Sequence, residues 1–339
     1  MPDLWGERLT AADLRARVGQ VAQIGGLRRV RRMEGVEDGL DVIELRSGGG
    51  LELDLLASRG LDLGAAYFHS RPLSWLSAAG FSHPGLREWL PDGFERAFGG
   101  GLMTTCGLSN VGAAGQVDGV VYAQHGRASA TPAYDLSTSG EWVGDDHLLT
   151  VRGKTREAVL YGDCFEKTRT IRAALGQNRV QIEDVIVNVG ARPAALLLLY
   201  HFNLGWPLVR PETRVQFPST GQRVVFGEAG DWQGVLPPDP QYAARVTEHD
   251  LAPDADGWVR LSVQSPTTSF NLAYQGHLPR FSQWQQFGSG DYVLGLEPGN
   301  VGVLGRAAEA AAGPLDFLQP GETRTIRLQV SVEATGERP

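Results

Sequence analysis

The sequence predicts an all-β protein, a large antiparallel β-sandwich with a few short peripheral helices, and three observations carry that reading. About twenty short runs alternate apolar and polar residues with period two, against only two or three short helix-like stretches. Gly 44 and Pro 19 in 339 residues supply turn dipeptides between those runs. No repeat, low-complexity tract or shift in composition divides the chain, so the strands have to be buried together in one body. Nucleotide folds lose ground because no GxGxxG or Walker-type loop follows a strand. A net charge of −8, with no basic block interleaved with aromatics, argues against a nucleic-acid partner. Cys106 and Cys164 form no CxxC and no framework, so they read as unpaired thiols in a reduced compartment. The start, MPDLWGERLT, lacks a basic and apolar leader, and no apolar run approaches the length of a membrane span. The expectation is a soluble, cytoplasmic protein with no membrane partner.

Residues 1–24 read as a peripheral segment, in which Thr10 caps a short helix within 7–18 that Gly19 stops. Residues 25–335 read as a single sandwich domain. From Gly26 to Leu63 the pattern alternates, with Val42, Glu44 and Arg46 opposite Ile43 and Leu45, and glycines 48–50 as a hairpin turn. Arg59 follows at the junction of two apolar strands, either as a solvated charge or as a group held toward a cleft. Residues 70–100, with Trp75, Phe81, Trp89, Phe94 and Phe98 and a helix turn around Gly85 to Leu90, read as an insertion packed on a sheet. The glycine-rich tract 99–115 reads as tight turns, or as backbone brought close to a ligand. Val120 to Ala130 reads as a strand with Val121, Ala123, His125 and Arg127 on one face. Alternation continues from Trp142 to Val189, with brief turns at Gly153, Gly162 and 174–176. The proline-rich stretch 207–257 reads as irregular structure, and strands resume over 258–263, 269–275, 292–297 and 323–332.

The chemistry gathers at the polar ends of apolar strands. In LLLLYHFNLG, 196–205, alternation puts Leu197, Leu199, His201 and Asn203 on one face and Leu198, Tyr200 and Phe202 on the other. In YVLGLEP, Tyr292, Leu294 and Leu296 share one face, so Glu297 ends the other. Each has an ordinary alternative: a histidine satisfied by a backbone carbonyl, a glutamate in water at a sheet edge. If the ends of these strands converge, a glutamate kept anionic by hydrogen bonds is a general base and a histidine holding a proton is a general acid. A metal site of two histidines and a carboxylate is the alternative for the same residues, but no HxH or HExxH spacing supports it. Trp284, in FSQWQQFG, is available to face a ligand or to pack in the core.

Six motifs together resemble the aldose 1-epimerase, or galactose mutarotase-like, family and above all its uncharacterised branch, across residues 25–335. They are Arg-Gly-Leu-Asp at 59–62, Gly-Gly-Leu-Met-Thr-Thr-Cys-Gly-Leu at 100–108, His-Gly-Arg at 125–127, Tyr-His-Phe-Asn-Leu-Gly at 200–205, Gly-Leu-Glu-Pro at 295–298 and Pro-Gly-Glu at 320–322. The resemblance implies a β-supersandwich with a sugar cleft across one sheet. It makes His201 the acid at the ring oxygen and Glu297 the base at the anomeric hydroxyl, with Arg59 and His125 holding the sugar. Arg127, Asn203 and Trp284 complete the candidate contacts. The implied partner is a small-molecule sugar, the implied reaction needs no cofactor, and the oligomeric state, a homodimer included, stays open. Mutarotases usually place Asn before the histidine and Gln after Leu-Glu-Pro; here the residues are Tyr200 and Gly299. Two other readings stay open: a carbohydrate-binding protein without catalysis, and an isomerase of an acidic or phosphorylated sugar.

Overall fold

The computed structural model describes residues 1–86, 90 and 93–336. Two large antiparallel sheets carry the chain. Eight strands make the smaller one, in the order Tyr134–Val143, Asp146–Ala158, Cys164–Ala174, Arg179–Asn188, Thr323–Ala334, Thr268–Gln275, Val259–Gln264, Arg214–Gln216. The larger has twelve, with the main path Ser219–Phe226, Arg245–Leu251, Arg280–Phe287, Tyr292–Gly299, Ala194–Gly205, Met103–Leu108, Asp62–Phe68, Leu51–Leu56, Asp41–Arg46, Gly26–Arg31. The fold is the β-sandwich that the alternation predicts.

The period of two decides which side chains meet. Leu196, Leu198, Tyr200, Phe202 and Leu204 enter the main core with Tyr292, Leu294 and Leu296 from the neighbouring strand and Phe165, Ile171, Ile182 and Leu328 from the other sheet. The opposite face of Ala194–Gly205 turns away from that core. Its Ala195, Leu197 and Leu199 pack with Cys106, Val111, Phe94 and Val301 in a second, smaller cluster. The outer face of the larger sheet is thus apolar at one end of this strand and polar at the other, where His201 and Asn203 lie.

The N-terminal helix spans Ala11–Arg17, with Thr10 and Asp13 satisfying each other's backbone amides in a capping box. Leu4, Leu9 and Leu14 seat this segment against Leu175. A second short helix, Arg306–Ala312, has no counterpart in the sequence reading. No helix among the described residues is long and apolar enough to cross a membrane. Cys106 is buried and Cys164 half-buried, and neither is part of a disulfide.

Several expectations need correction. The tract 99–115 contains a fully buried strand, Met103–Leu108, in the middle of the larger sheet, paired with Leu197–Phe202. Its glycines reflect crowding: a Cβ on Gly107 would lie 2.3 Å from the Leu197 carbonyl oxygen. Val120 to Ala130 is a strand only over Val120–Tyr122; His125 adopts φ +52° and Gly126 φ +68°, and a 3-10 turn follows at Ala128–Ala130. Gly153 lies inside the long strand Asp146–Ala158. The 207–257 region contains three strands, Arg214–Gln216, Ser219–Phe226 and Arg245–Leu251. Within 70–100 the described residues hold 3-10 turns at Pro84–Leu86 and Glu95–Ala97; of the turn expected at Gly85 to Leu90, residues 87–89, Trp89 among them, lie outside the described residues.

Candidate active site

His201 and Glu297 come from adjacent central strands. The register pairs Leu199 with Gly299 and Phe202 with Leu296, which sets His201 opposite Glu297 on the outer face. The contact is direct, with His201 Nε2 3.2 Å from Glu297 Oε1. Both are buried, at 6% and 3% exposure. Room for the carboxylate comes from Gly295, where a Cβ would stand 2.9 Å from both Glu297 Oε1 and Trp284 Cβ. Rings close around the histidine: Trp284 at 5.5 Å and 79°, Phe98 at 5.4 Å and 64°, His125 at 6.0 Å and 78°. Trp75 stands edge-on to Trp284 at 6.1 Å, and Phe94 stacks on Phe98.

This setting overturns the expected protonation. Burial pushes the Glu297 carboxyl up to about 8. Burial, and then the neighbouring His125, push the His201 imidazole down to about 3, against a smaller opposing pull from the Asn203 amide. At neutral pH this burial favours a protonated glutamate and a neutral histidine, with the rings of Trp284, Phe98 and His125 around the imidazole. The pair nevertheless holds one proton, the same number as a carboxylate beside an imidazolium. Moving that proton across the 3.2 Å contact converts the resting pair into a base and an acid.

The other candidates divide. Asn203 is fully buried beside His201, and its amide nitrogen donates to the Gly101 and His201 carbonyls at 2.9 and 3.0 Å. Trp284 is half-buried against His201 rather than packed in the main core. His125 reaches the site from a loop: its amide donates to the Gly112 carbonyl, and its Nδ1 accepts from the Gly112 amide at 3.3 Å, which leaves the ring proton on Nε2. Arg59 is buried, with Nη1 donating to the Ser82 carbonyl at 2.7 Å and Nη2 to the Ala97 carbonyl at 2.8 Å. Its position pins the 70–100 segment across the sheet. Arg127 points elsewhere, lining a cavity of about 580 Å³ with Glu157, Tyr122 and Asp163. The sequence reading missed Trp75, Phe98, Ser282 and Gln286, which share the outer face with the pair or lie against it. Two of them sit in a segment without period, where only aromatic density marks them.

Beneath His201 the core is ionic. Arg169, 1% exposed, forms a fork to Asp184 at 2.8 and 2.6 Å and reaches Asp62 at 2.7 Å. Tyr200, one residue before the histidine, donates its hydroxyl to Asp184 at 2.7 Å. The Thr105 amide and hydroxyl both donate to Asp62, and Lys167 Nζ donates to the Gly60 carbonyl at 3.0 Å. The Arg-Gly-Leu-Asp motif is thereby held from both faces, by Arg59 outward and Asp62 inward. Burial works to raise the Asp184 carboxyl, but Arg169 and then Lys167 outweigh it and hold it below its ordinary value. No group of three or more His, Cys, Asp and Glu side chains able to hold a metal ion occurs among the described residues.

The family model described as Domain of unknown function (DUF4432) matches residues 37–332. No curated protein matches the chain. Among solved structures, a Klebsiella pneumoniae protein provisionally named an aldose 1-epimerase is 20% identical, with a TM-score of 0.83 over 90% of this chain and 83% of its own. A galactose mutarotase-like protein from Clostridium acetobutylicum is 11% identical, with a TM-score of 0.62 over 92% of this chain and 100% of its own. Galactose 1-epimerase from Lactobacillus acidophilus NCFM is 13% identical, with a TM-score of 0.58 and coverage of 92% and 100%. At these identities the likeness is one of fold, and the fold is that of the galactose mutarotase-like proteins.

Proposed function

The chain belongs to the family of Domain of unknown function (DUF4432), and on that premise we propose that it is an aldose 1-epimerase-like isomerase, interconverting the anomers of a sugar by acid–base ring opening. The observation that carries this is the buried His201–Glu297 contact, with Nε2 3.2 Å from Oε1. The names borne by proteins of the same fold agree with it.

In the forward direction the carboxylate of Glu297 takes the proton of the C1 hydroxyl while the C1–O5 bond breaks and O5 takes the proton of His201. The product is the open-chain aldehyde, with both groups exchanged in protonation. Rotation about C1–C2 presents the other carbonyl face, and closure runs the transfers backwards. Charge is never created in net, which suits a site with little water. Asn203 holds the histidine strand through two carbonyls, and the edges of Trp284 and Phe98 confine the ring.

The test is one-dimensional NMR exchange between α and β anomers over neutral, deoxy, acidic and phosphorylated aldoses. Enhanced exchange on at least one sugar is the expected result. Binding without any enhancement would leave a carbohydrate-binding protein. Its pH dependence follows from the two shifts. As pH rises through about 8 the pair loses its proton and exchange activity falls; as pH drops toward about 3 the pair gains a second proton and loses its base. Activity is expected to be flat between these limits.

A further inference from the structure

Five buried side-chain polar atoms lack a hydrogen-bond partner among the described residues: Trp75 Nε1, His147 Nδ1, His201 Nδ1, Asn203 Oδ1 and Gln286 Oε1. His147 belongs to the smaller sheet; the other four gather on the outer face of the larger one. Consecutive rows across that sheet carry them. His201 and Glu297 head one row, Asn203, Gly295 and Trp284 form the next, and Gly205, Val293 and Gln286 the third. Trp75 lies over the third row, its Cα 2.8 Å from where a Cβ on Gly205 would be, and its amide donates to the Asn203 carbonyl at 2.9 Å. Buried polar groups are rarely left unpaired, and four on one face beside an acid–base pair mark a place built to receive hydrogen bonds.

We propose that Trp75 Nε1, Asn203 Oδ1 and Gln286 Oε1 recognise neighbouring hydroxyl groups of the sugar on the side away from the anomeric carbon, and so select among substrates. This rests on the proposed ring-opening reaction at His201 and Glu297. The chemistry of the set is specific. An indole N–H can only donate. Asn203 has its amide nitrogen committed to two carbonyls, which fixes its oxygen as an acceptor beside the His201 imidazole. Gln286 offers a second acceptor. Adjacent hydroxyls, each a donor and an acceptor, satisfy one donor and two acceptors at once. A carboxylate or phosphate at the same place sets acceptor against acceptor at Asn203, whose amide is held by its two carbonyl partners, so the set favours an uncharged polyol there over an acidic or phosphorylated sugar.

The experiment compares wild type, Trp75→Phe and Gln286→Leu in the full chain. Anomer exchange is followed by NMR on neutral aldoses, their monodeoxy analogues, a uronic acid and a 6-phosphate, and affinity is measured by calorimetry on the same sugars. The expected result is KM and Kd raised about tenfold in each variant with kcat preserved, and no such increase for the analogue lacking the matching hydroxyl. A residue that only supports the fold would lower kcat and the thermal midpoint together and would not depend on the hydroxyl. Unchanged KM in both variants, preference for the acidic or phosphorylated sugar, or no binding of any sugar would overturn the proposal. If wild type binds but does not exchange, the ring-opening reading fails, while the Kd comparison still decides the recognition role. Gln286→Leu leaves the aromatic cluster intact, so a folding failure of Trp75→Phe does not remove the test.

Discussion

Replacing Glu297 with glutamine is expected to lower anomer exchange by between about 10²- and 10⁴-fold while sugar binding survives, measured by NMR exchange and calorimetry on the same preparation. The prediction is large because the substitution removes chemistry and little else. Glutamine fills nearly the same volume and keeps a hydrogen-bonding group opposite His201 Nε2. It also needs no space beyond the gap that Gly295 provides. What it cannot do is take a proton from a hydroxyl and return it. Exchange unchanged in the variant would place the reaction elsewhere or in solution.

Replacing Arg169 with methionine is expected to cost about 3–5 kcal/mol of stability, read as a lowered urea midpoint, because it strands the carboxylates of Asp184 and Asp62 in the core. The loss comes from uncompensated charge more than from the missing bonds. A second variant separates the two: Arg169→Met with Asp184→Leu removes one of the stranded charges and is expected to recover part of the loss. The pH dependence has a definite sign. The folded Asp184 carboxyl lies below its ordinary value, so its contribution is present at neutral pH and is lost as pH falls through the folded value. Wild type should therefore lose stability in acid more steeply than the double variant. Because Tyr200 donates to Asp184 and precedes His201, Arg169→Met is also expected to disturb the site that the strand carries.

What could be read in advance was what period two encodes. The faces of Ala194–Gly205 and Tyr292–Gly299 follow from alternation alone, His201 with Asn203 on one and Glu297 opposite Leu294 and Leu296 on the other; that the two strands are neighbours is seen only in the structure. Their mutual distance could not follow, since strand order is a non-local property. Polar interiors hid other elements. Arg280–Phe287 turns Gln283 and Gln285 inward to backbone carbonyls at 232 and 234, so its inner face lacks the apolar signal of a strand. Lys167 and Arg169 are buried against the Arg-Gly-Leu-Asp turn, and no pattern in the sequence marks them as inward-facing. In Met103–Leu108 the flanking glycines read as turns, while their function is close approach. His125 falls on the expected side of the site for a different reason, a left-handed loop residue instead of a strand position. The pKa shifts of the pair could not be read because they depend on which rings surround it, and Phe98, His125 and Trp284 come from three separate parts of the chain.

The central claim is that His201 and Glu297 act as one proton-sharing unit. Its most direct test is anomer exchange on one accepted sugar by wild type, His201→Asn, Glu297→Gln and the double variant, with binding measured for each. Groups that work as a unit lose their effect once either is removed. The predicted result is a double variant no slower than the slower single variant, all of them still binding sugar. Losses that multiply in the double variant, or a single variant that keeps the wild-type rate, would contradict the account.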